Sequence, residues 1–528
     1  MTQEKDAQLD IEEREDSLSA VNTRGSSERL PLWRAMKKYY IITIWTFGLT
    51  LGILLWGYDL VIVGVVASLP AFQEKFGTAY EDRYIIPVSW LSAWAVSSNI
   101  GLMGGALVTG SVQDRIGRRW SLMIASVICS VSVAICYVSD LPATPNACRG
   151  VYFLAKLVQG FSIGAIMTTT QTWLSEVLPT ELRGPFMAVF PIFKLLSQLI
   201  GAVVALVVEN YPGPSSYRLC FASQWPFSAL LTILTIFLPE TPAYLLRNGR
   251  SEAAKYAMIR LRGKKDNDAD IAYSRLLDTI ISKESEHITK ESYLACFKQP
   301  HLRRTFIVAF AEVIPLFFGL QLLGSASYFL QQIGMDSTLS LLIQVVGIAV
   351  GVTASCVTFY TSSKFGRRIL ILTGLTIISS LWFGVGLSGI WQNEGAMWFT
   401  AIGMLLVILT AGSGPWPASY AVASEASAIC LRSKTQGIGW FAYGLGTMVF
   451  GVVMPYLYNP DAANLGSYTA FVYFAIAGIG VVITFFCVPE MKGRSPKVID
   501  EMFEVRLPTP KFKAWGEGCI ESELAGGG

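Results

Sequence analysis

Ionisable side chains stand inside long apolar stretches of this 528-residue chain, among them Asp59, Lys156 and Glu312. A charge placed in lipid is costly, so such residues serve a function by default and hold a proton, an ion or a substrate. Asp59 lies deep in the first apolar run and Lys156 in the fourth, one turn before Gly160. Glu312 lies near the start of the seventh, close enough to the surface for solvation. A second set of charges sits between the runs. Gly110–Arg119 reads G-S-V-Q-D-R-I-G-R-R and carries Asp114, Arg118 and Arg119. It returns as S-S-K-F-G-R-R, ending in Arg367 and Arg368. Glu176 with Arg183 is echoed by Glu425 with Arg432, and Pro239-Glu240 by Pro489-Glu490. Each echo follows its original by roughly 250 positions, so the chain is one unit written twice in the same orientation.

The same inventory excludes other chemistry. Only two histidines occur, His287 and His301, both in a charged central stretch, and the nine cysteines contain no C-x-x-C. The cysteines read as buried small hydrophobes, and neither a metal site nor a disulfide framework is expected. No G-x-x-x-x-G-K-[ST] loop points to an ATP-driven pump, and no nucleophile–base pair points to an enzyme. No cofactor is called for, and a net charge of +3 gives no argument for nucleic acid.

The elements that must position these charges follow from composition. The chain is 52% hydrophobic and 15% charged, against about 25% charged in a soluble domain. It is a membrane protein whose spans need about 20 apolar residues each. Six runs between residues 39 and 238 and six between 305 and 488 predict twelve spans in two bundles. A polar stretch with short helices, 239–304, separates them, and polar tails at 1–38 and 489–528 flank them. The first tail has no apolar h-region and reads as disordered rather than as a signal peptide. Ser251 is placed to cap a short helix through Leu261. The basic motifs fall on the face of the termini, which places both termini in the cytosol. Gly101/Gly105, Gly160/Gly164 and Gly347/Gly351 each form a G-x-x-x-G, a spacing that lets helices approach closely.

These motifs as a set resemble the sugar porters of the major facilitator superfamily. The signatures are Gly110–Arg119, Glu176–Gly184, Pro239–Pro242, Glu425–Arg432 and Pro489–Arg494. Gly57-Tyr58-Asp59, Leu69–Gln73, Asn459-Pro460 with Asn464, Ile499–Phe503 and Lys511–Lys513 look like the fungal maltose and α-glucoside permease branch. The resemblance implies an all-α membrane protein, two six-helix bundles around a cavity that opens alternately to each side. It implies a cytosolic gate in which Asp114, Arg118, Arg119, Glu176, Arg183 and Glu240 form one network, with Arg367, Arg368, Glu425, Arg432 and Glu490 as its twin. It makes the first and fourth spans neighbours, so that Asp59 and Lys156 pair and Asp59 carries a transported proton.

The family pattern also places Gln198, Gln321, Ser325 and Tyr420 at cavity positions, with Trp440 beside them. Sugar sites need hydrogen-bonding side chains against aromatic faces. Departures matter here. Hexose carriers have two glutamines where this chain has Pro315 and Leu316. The α-glucoside branch often has acids at the positions of Trp56 and Leu102 and an arginine at Trp440. The expected partners are therefore the bilayer, protons and a small-molecule substrate, either a sugar or a less polar fungal metabolite. The expected function is proton symport at the plasma membrane. Export of a metabolite is the alternative, and a non-transporting nutrient sensor is disfavoured by the short C-terminal tail.

Overall fold

The computed structural model describes residues 32–512 apart from 68, 81–82, 209–210, 212, 264–267, 285–291, 300, 392, 459–462 and 464. The expectations for 1–31, His287, Asn459-Pro460, Asn464 and 513–528 lie outside the described residues. Within a bilayer every backbone polar group must find a partner, and a helix provides them internally. The N-terminal half accordingly contains α1 (Tyr40–Ala67), α2 (Val88–Ile116), α3 (Arg118–Tyr137), α4 (Pro145–Val177), α5 (Val189–Val208) and α6, made of Ser215–Ala222 and Trp225–Phe237. The C-terminal half begins with α7, in three pieces: His301–Phe317, Leu320–Gly324 and Ala326–Gln332. It continues with α8 (Ser337–Lys364), α9 (Arg367–Ser388), α10 (Glu394–Gly412, then Pro415–Ala426), α11 (Arg432–Tyr458) and α12 (Thr469–Cys487). Short helices Pro242–Arg247, Ser251–Arg262, Asp268–Glu284 and Tyr293–Cys296 link the halves. Ser251 is the first residue of its helix and caps nothing; Arg250 holds the cap position. Two antiparallel three-residue strands, Thr78–Tyr80 and Arg83–Ile85, precede α2.

Among the described residues eleven helices are long and apolar enough to cross a membrane. The twelfth, α7, is divided into three pieces, the first of 17 residues. Gly319 takes a left-handed φ of 82° that ends the first piece. The Phe318 carbonyl freed there accepts from Trp382 Nε1 at 3.1 Å. The break in α10 before Pro415 is treated alike: the hydroxyls of Thr358 and Thr361 on α8 donate to the carbonyls of Gly412 (2.6 Å) and Ser413 (2.7 Å).

Two seams join the halves, α2 against α11 and α5 against α8. Inside the N-terminal half, α2 and α4 meet backbone to backbone. A Cβ at Gly101 or Gly105 would run into the backbone of Leu157 or Phe161, and one at Gly160 or Gly164 into that of Ser98 or Leu102. The pair on α8 behaves differently: Gly347 and Gly351 face only the side chains of Leu405, Leu195 and Ile408. Among the cysteines, Cys129 and Cys136 are buried as expected, whereas Cys356 is exposed on the outer surface of the helices and Cys487 is partly so. The outer surface presents apolar groups to lipid, which removes any drive to hide a thiol there.

Candidate functional site

At the end carrying the basic motifs, two similar clusters hold the turns between α2 and α3 and between α8 and α9. Arg118, with no exposed surface, reaches Glu176 at 2.9 Å and Asp114 at 3.3 Å. Glu240 accepts from the backbone N–H groups of Arg118 (3.0 Å) and Arg119 (3.2 Å), capping the start of α3. Gly117 makes this possible: its φ is 94°, and a Cβ would occupy the place of the Glu240 carboxylate. Burial pushes the Glu240 carboxyl up, opposed by these N–H donors and by the Arg118 charge. In the second copy Arg367 reaches Glu425 at 3.1 Å, and Glu490 accepts from Arg367 (3.1 Å) and Arg368 (3.2 Å). The guanidinium groups of Arg119 and Arg368 bond carbonyls instead, those of Thr235 and Ile236, and of Phe485.

The two clusters are not separate twins. Arg183, from the first copy, has its main carboxylate neighbour in Glu425 across the interface, and Arg432 has Glu176. Arg432 also donates to the Ser175 carbonyl at 3.0 Å. Each arginine thus adds its charge to a carboxylate already paired with an arginine of the other half, Glu425 with Arg367 and Glu176 with Arg118. Asp114 adds contacts with no counterpart in the repeat: Lys434 and Ser433 of α11 both reach it at 2.6 Å. Arg247 donates to Glu176 at 3.0 Å and to the carbonyls of Ile429 and Cys430. The Tyr293 hydroxyl bonds the Leu107 carbonyl. This end is closed.

Asp59 and Lys156 form a buried ion pair inside the N-terminal half. Ser98 donates to the other Asp59 oxygen at 2.9 Å, and Lys156 also donates to Gln159 at 3.3 Å. Glu312 corrects the sequence reading: it is fully buried, not solvated. The reason is that α7 continues beyond its helix start into the interface between the halves. Gln171 of α4 donates to Glu312 at 2.5 Å and accepts from Trp440 Nε1 at 2.6 Å, tying α4 to α7 and α11. Glu312 Oε2 has no partner among the described residues.

Above this layer, away from the basic end, lies a cavity of about 640 Å³ between the halves. Gln198, Gln321 and Ser325 line it, as do Pro315 and Leu316. Tyr420 and Trp440 lie one layer below, fully buried, where Phe190 of α5 stacks on Tyr420 at 5.0 Å between centroids. The aromatic wall of the cavity is instead Trp416 and Tyr443. Trp56 packs edge-on to Trp440 at 5.3 Å and to Tyr443 at 5.6 Å.

The sequence profile described as Sugar (and other) transporter matches residues 45–503. The chain belongs to this family. Among the proteins it is similar to, MFS transporter fmqE of Aspergillus fumigatus is 27% identical over 464 residues, covering 87% of this chain and 85% of that one. Maltose permease MAL61 of Saccharomyces cerevisiae is 26% identical over 513 residues, covering 95% and 82%. The fold superposes on the proton:xylose symporter XylE bound to 6-bromo-6-deoxy-D-glucose with a TM-score of 0.77 at 19% identity, over 88% of this chain and 100% of that one. Against XylE described as inward open, the TM-score is 0.60 at 21% identity over the same shares. This is the major facilitator fold.

Within this sugar-transporter family member, sequence reasoning missed three groups. Lys194 of α5 is 7% exposed and lines the cavity. It is an ionisable residue inside an apolar run, the same signal that singled out Asp59. Gln171 sits in the polar run Thr168–Thr172 of α4, which was equally visible. Lys434 carries no signal of its own, because its partner Asp114 lies in the other half.

Proposed function

We propose that the protein is a secondary active transporter that moves a sugar or related small molecule by alternating access, coupled to protons through Asp59. The observation that carries this reading is a buried Asp59–Lys156 pair inside the N-terminal half, with Asp59 one residue before Leu60 in the lining of a cavity whose far end is closed by ion pairs and hydrogen bonds between the halves. A buried charge left without its partner is costly, so a helix movement that parts Asp59 from Lys156 is tied to proton transfer at that carboxylate. Substrate binding that prefers one arrangement couples its own movement to the proton's. By the positive-inside rule the basic end faces the cytosol. The cavity then faces outward, a reading supported by the poorer fit to the inward-open XylE. Pro315 and Leu316 in the lining favour a substrate less polar than maltose, and export of such a metabolite is the alternative reading.

Uptake into proteoliposomes tests this. A panel of maltose, glucose and less polar metabolites identifies the substrate, with maltose expected to be poor. Asp59→Asn should then abolish gradient-driven accumulation while exchange down a gradient survives. Accumulation by Asp59→Asn equal to the parent would remove Asp59 as the proton carrier.

A further inference from the structure

We propose that the cavity takes its substrate as a monoanion whose carboxylate is received by Lys194. This rests on reading the cavity as the transport site and names the chemistry it selects.

Lys194 is the cationic side chain in the cavity lining. Its Nζ lies 4.4 Å from the Trp56 ring centroid, 5.4 Å from that of Trp416 and 5.8 Å from that of Tyr443. Aromatic faces stabilise an ammonium through their quadrupoles without neutralising it. One proton goes to the Tyr443 hydroxyl at 3.2 Å. Among the described residues no carboxylate pairs with Lys194: Asp59 is taken by Lys156, and Glu312 is held by Gln171 in the layer below. A buried charge without a counter-ion is expensive, and a bound carboxylate would supply one.

The arrangement discriminates further. An aromatic cage of this kind commonly receives a cationic ligand, but here Lys194 already occupies it and would repel one. A phosphate dianion asks for several cations or an arginine fork, and the lining contains neither. Gln198 and Gln321 stand by to bond the hydroxyls of a sugar acid, while Leu316, Leu323 and Ile348 suit an apolar body. The carboxylate is common to both.

The test is binding to the purified full-length protein, read by quenching of tryptophan fluorescence, with matched pairs that differ only in charge. D-glucuronate against D-glucose probes a hydroxylated body; phenylacetate against phenylacetamide probes an apolar one. In at least one pair the carboxylate should bind about tenfold more tightly than its neutral analogue, and the pair that responds identifies the body. Lys194→Met should erase the preference and Lys194→Arg should keep it. Equal or better binding of the neutral compound in both pairs, no binding of either carboxylate, or a preference that survives Lys194→Met would overturn the proposal. The comparison on the unaltered protein decides the matter even if Lys194→Met fails to fold. Because binding needs no gradient, loss of coupling in Asp59→Asn and loss of charge preference are read separately.

Discussion

Arg118 shows what a buried guanidinium does that a neighbouring one does not. It spends its fork on Glu176, Asp114 and the Gln113 carbonyl, and its plane lies against Tyr244 at 5.2 Å. Arg119, one residue on, holds backbone carbonyls at the helix surface. Removing one partner of a buried pair costs about 3–5 kcal/mol, whereas replacing both is milder. Arg118→Gln should therefore lose most transport and several degrees of thermal stability, and Arg119→Gln little of either. Arg118→Gln with Glu176→Gln should be less damaging than the two single changes summed. Transport at matched surface expression and thermal unfolding in detergent check this; equal effects at Arg118 and Arg119 would reduce both to orientation signals. These pairings were legible because Arg118 and Arg367, Glu176 and Glu425, and Glu240 and Glu490 recur at one spacing. The crossing of Arg183 and Arg432 was not, since a repeat shows which residues correspond and not which half completes the partnership.

At the scale of elements, the apolar runs located the spans, but breaks inside them stayed hidden. The stretch from Pro315 to Leu323 is as apolar as the helix before it, and Gly319 looks like any glycine in a membrane helix. The break depends on what stands opposite: the Trp382 ring, 2.6 Å from where a Cβ would lie, and its N–H aimed at Phe318. Gly319→Ala combines that clash with a left-handed backbone, a strain of about 1–3 kcal/mol. It should lower the melting temperature and weaken ligand binding, because the pieces after the break carry Gln321 and Ser325 into the cavity. An unchanged melting temperature would show that the ring yields and that the break is not held by it. The same gap separates Gly101 from Gly351: equal motifs in sequence, but only one meets a backbone.

For the whole molecule, closure of the basic end rests on contacts that cross between halves, and the Asp114–Lys434 contact can be tested by a cycle of neutral substitutions. Asp114 is also held by Arg118 of its own half at 3.3 Å, so a charge reversal there would set two cations together, and neutral changes isolate the crossing contact. Lys434→Gln should loosen this end, and it should add nothing once Asp114→Asn has already removed the partner. A single cysteine at position 106, buried against Gly437 in the closed form, reports the change in a background free of native cysteines. Its alkylation should accelerate about tenfold in Lys434→Gln, the equivalent of roughly 1.4 kcal/mol, and Asp114→Asn with Lys434→Gln should be no faster than Asp114→Asn alone. A Lys434→Gln effect of the same size with and without Asp114 would mean that the pair does not hold the seam.

The glycine contact between α2 and α4 has a mechanical consequence. Two helices joined backbone to backbone cannot slide, since each ridge is locked by a carbonyl and not by a rotatable side chain. The corresponding seam between α8 and α10 is joined by other means: leucine and isoleucine side chains stand opposite Gly347 and Gly351, and the hydroxyls of Thr358 and Thr361 hold the carbonyls of the broken helix. Side chains can change rotamer, and such hydroxyl bonds can part and re-form, which is what a shear between packed helices requires. The two copies of the repeat are thus fastened differently, one by backbone set against backbone and the other by groups that can let go.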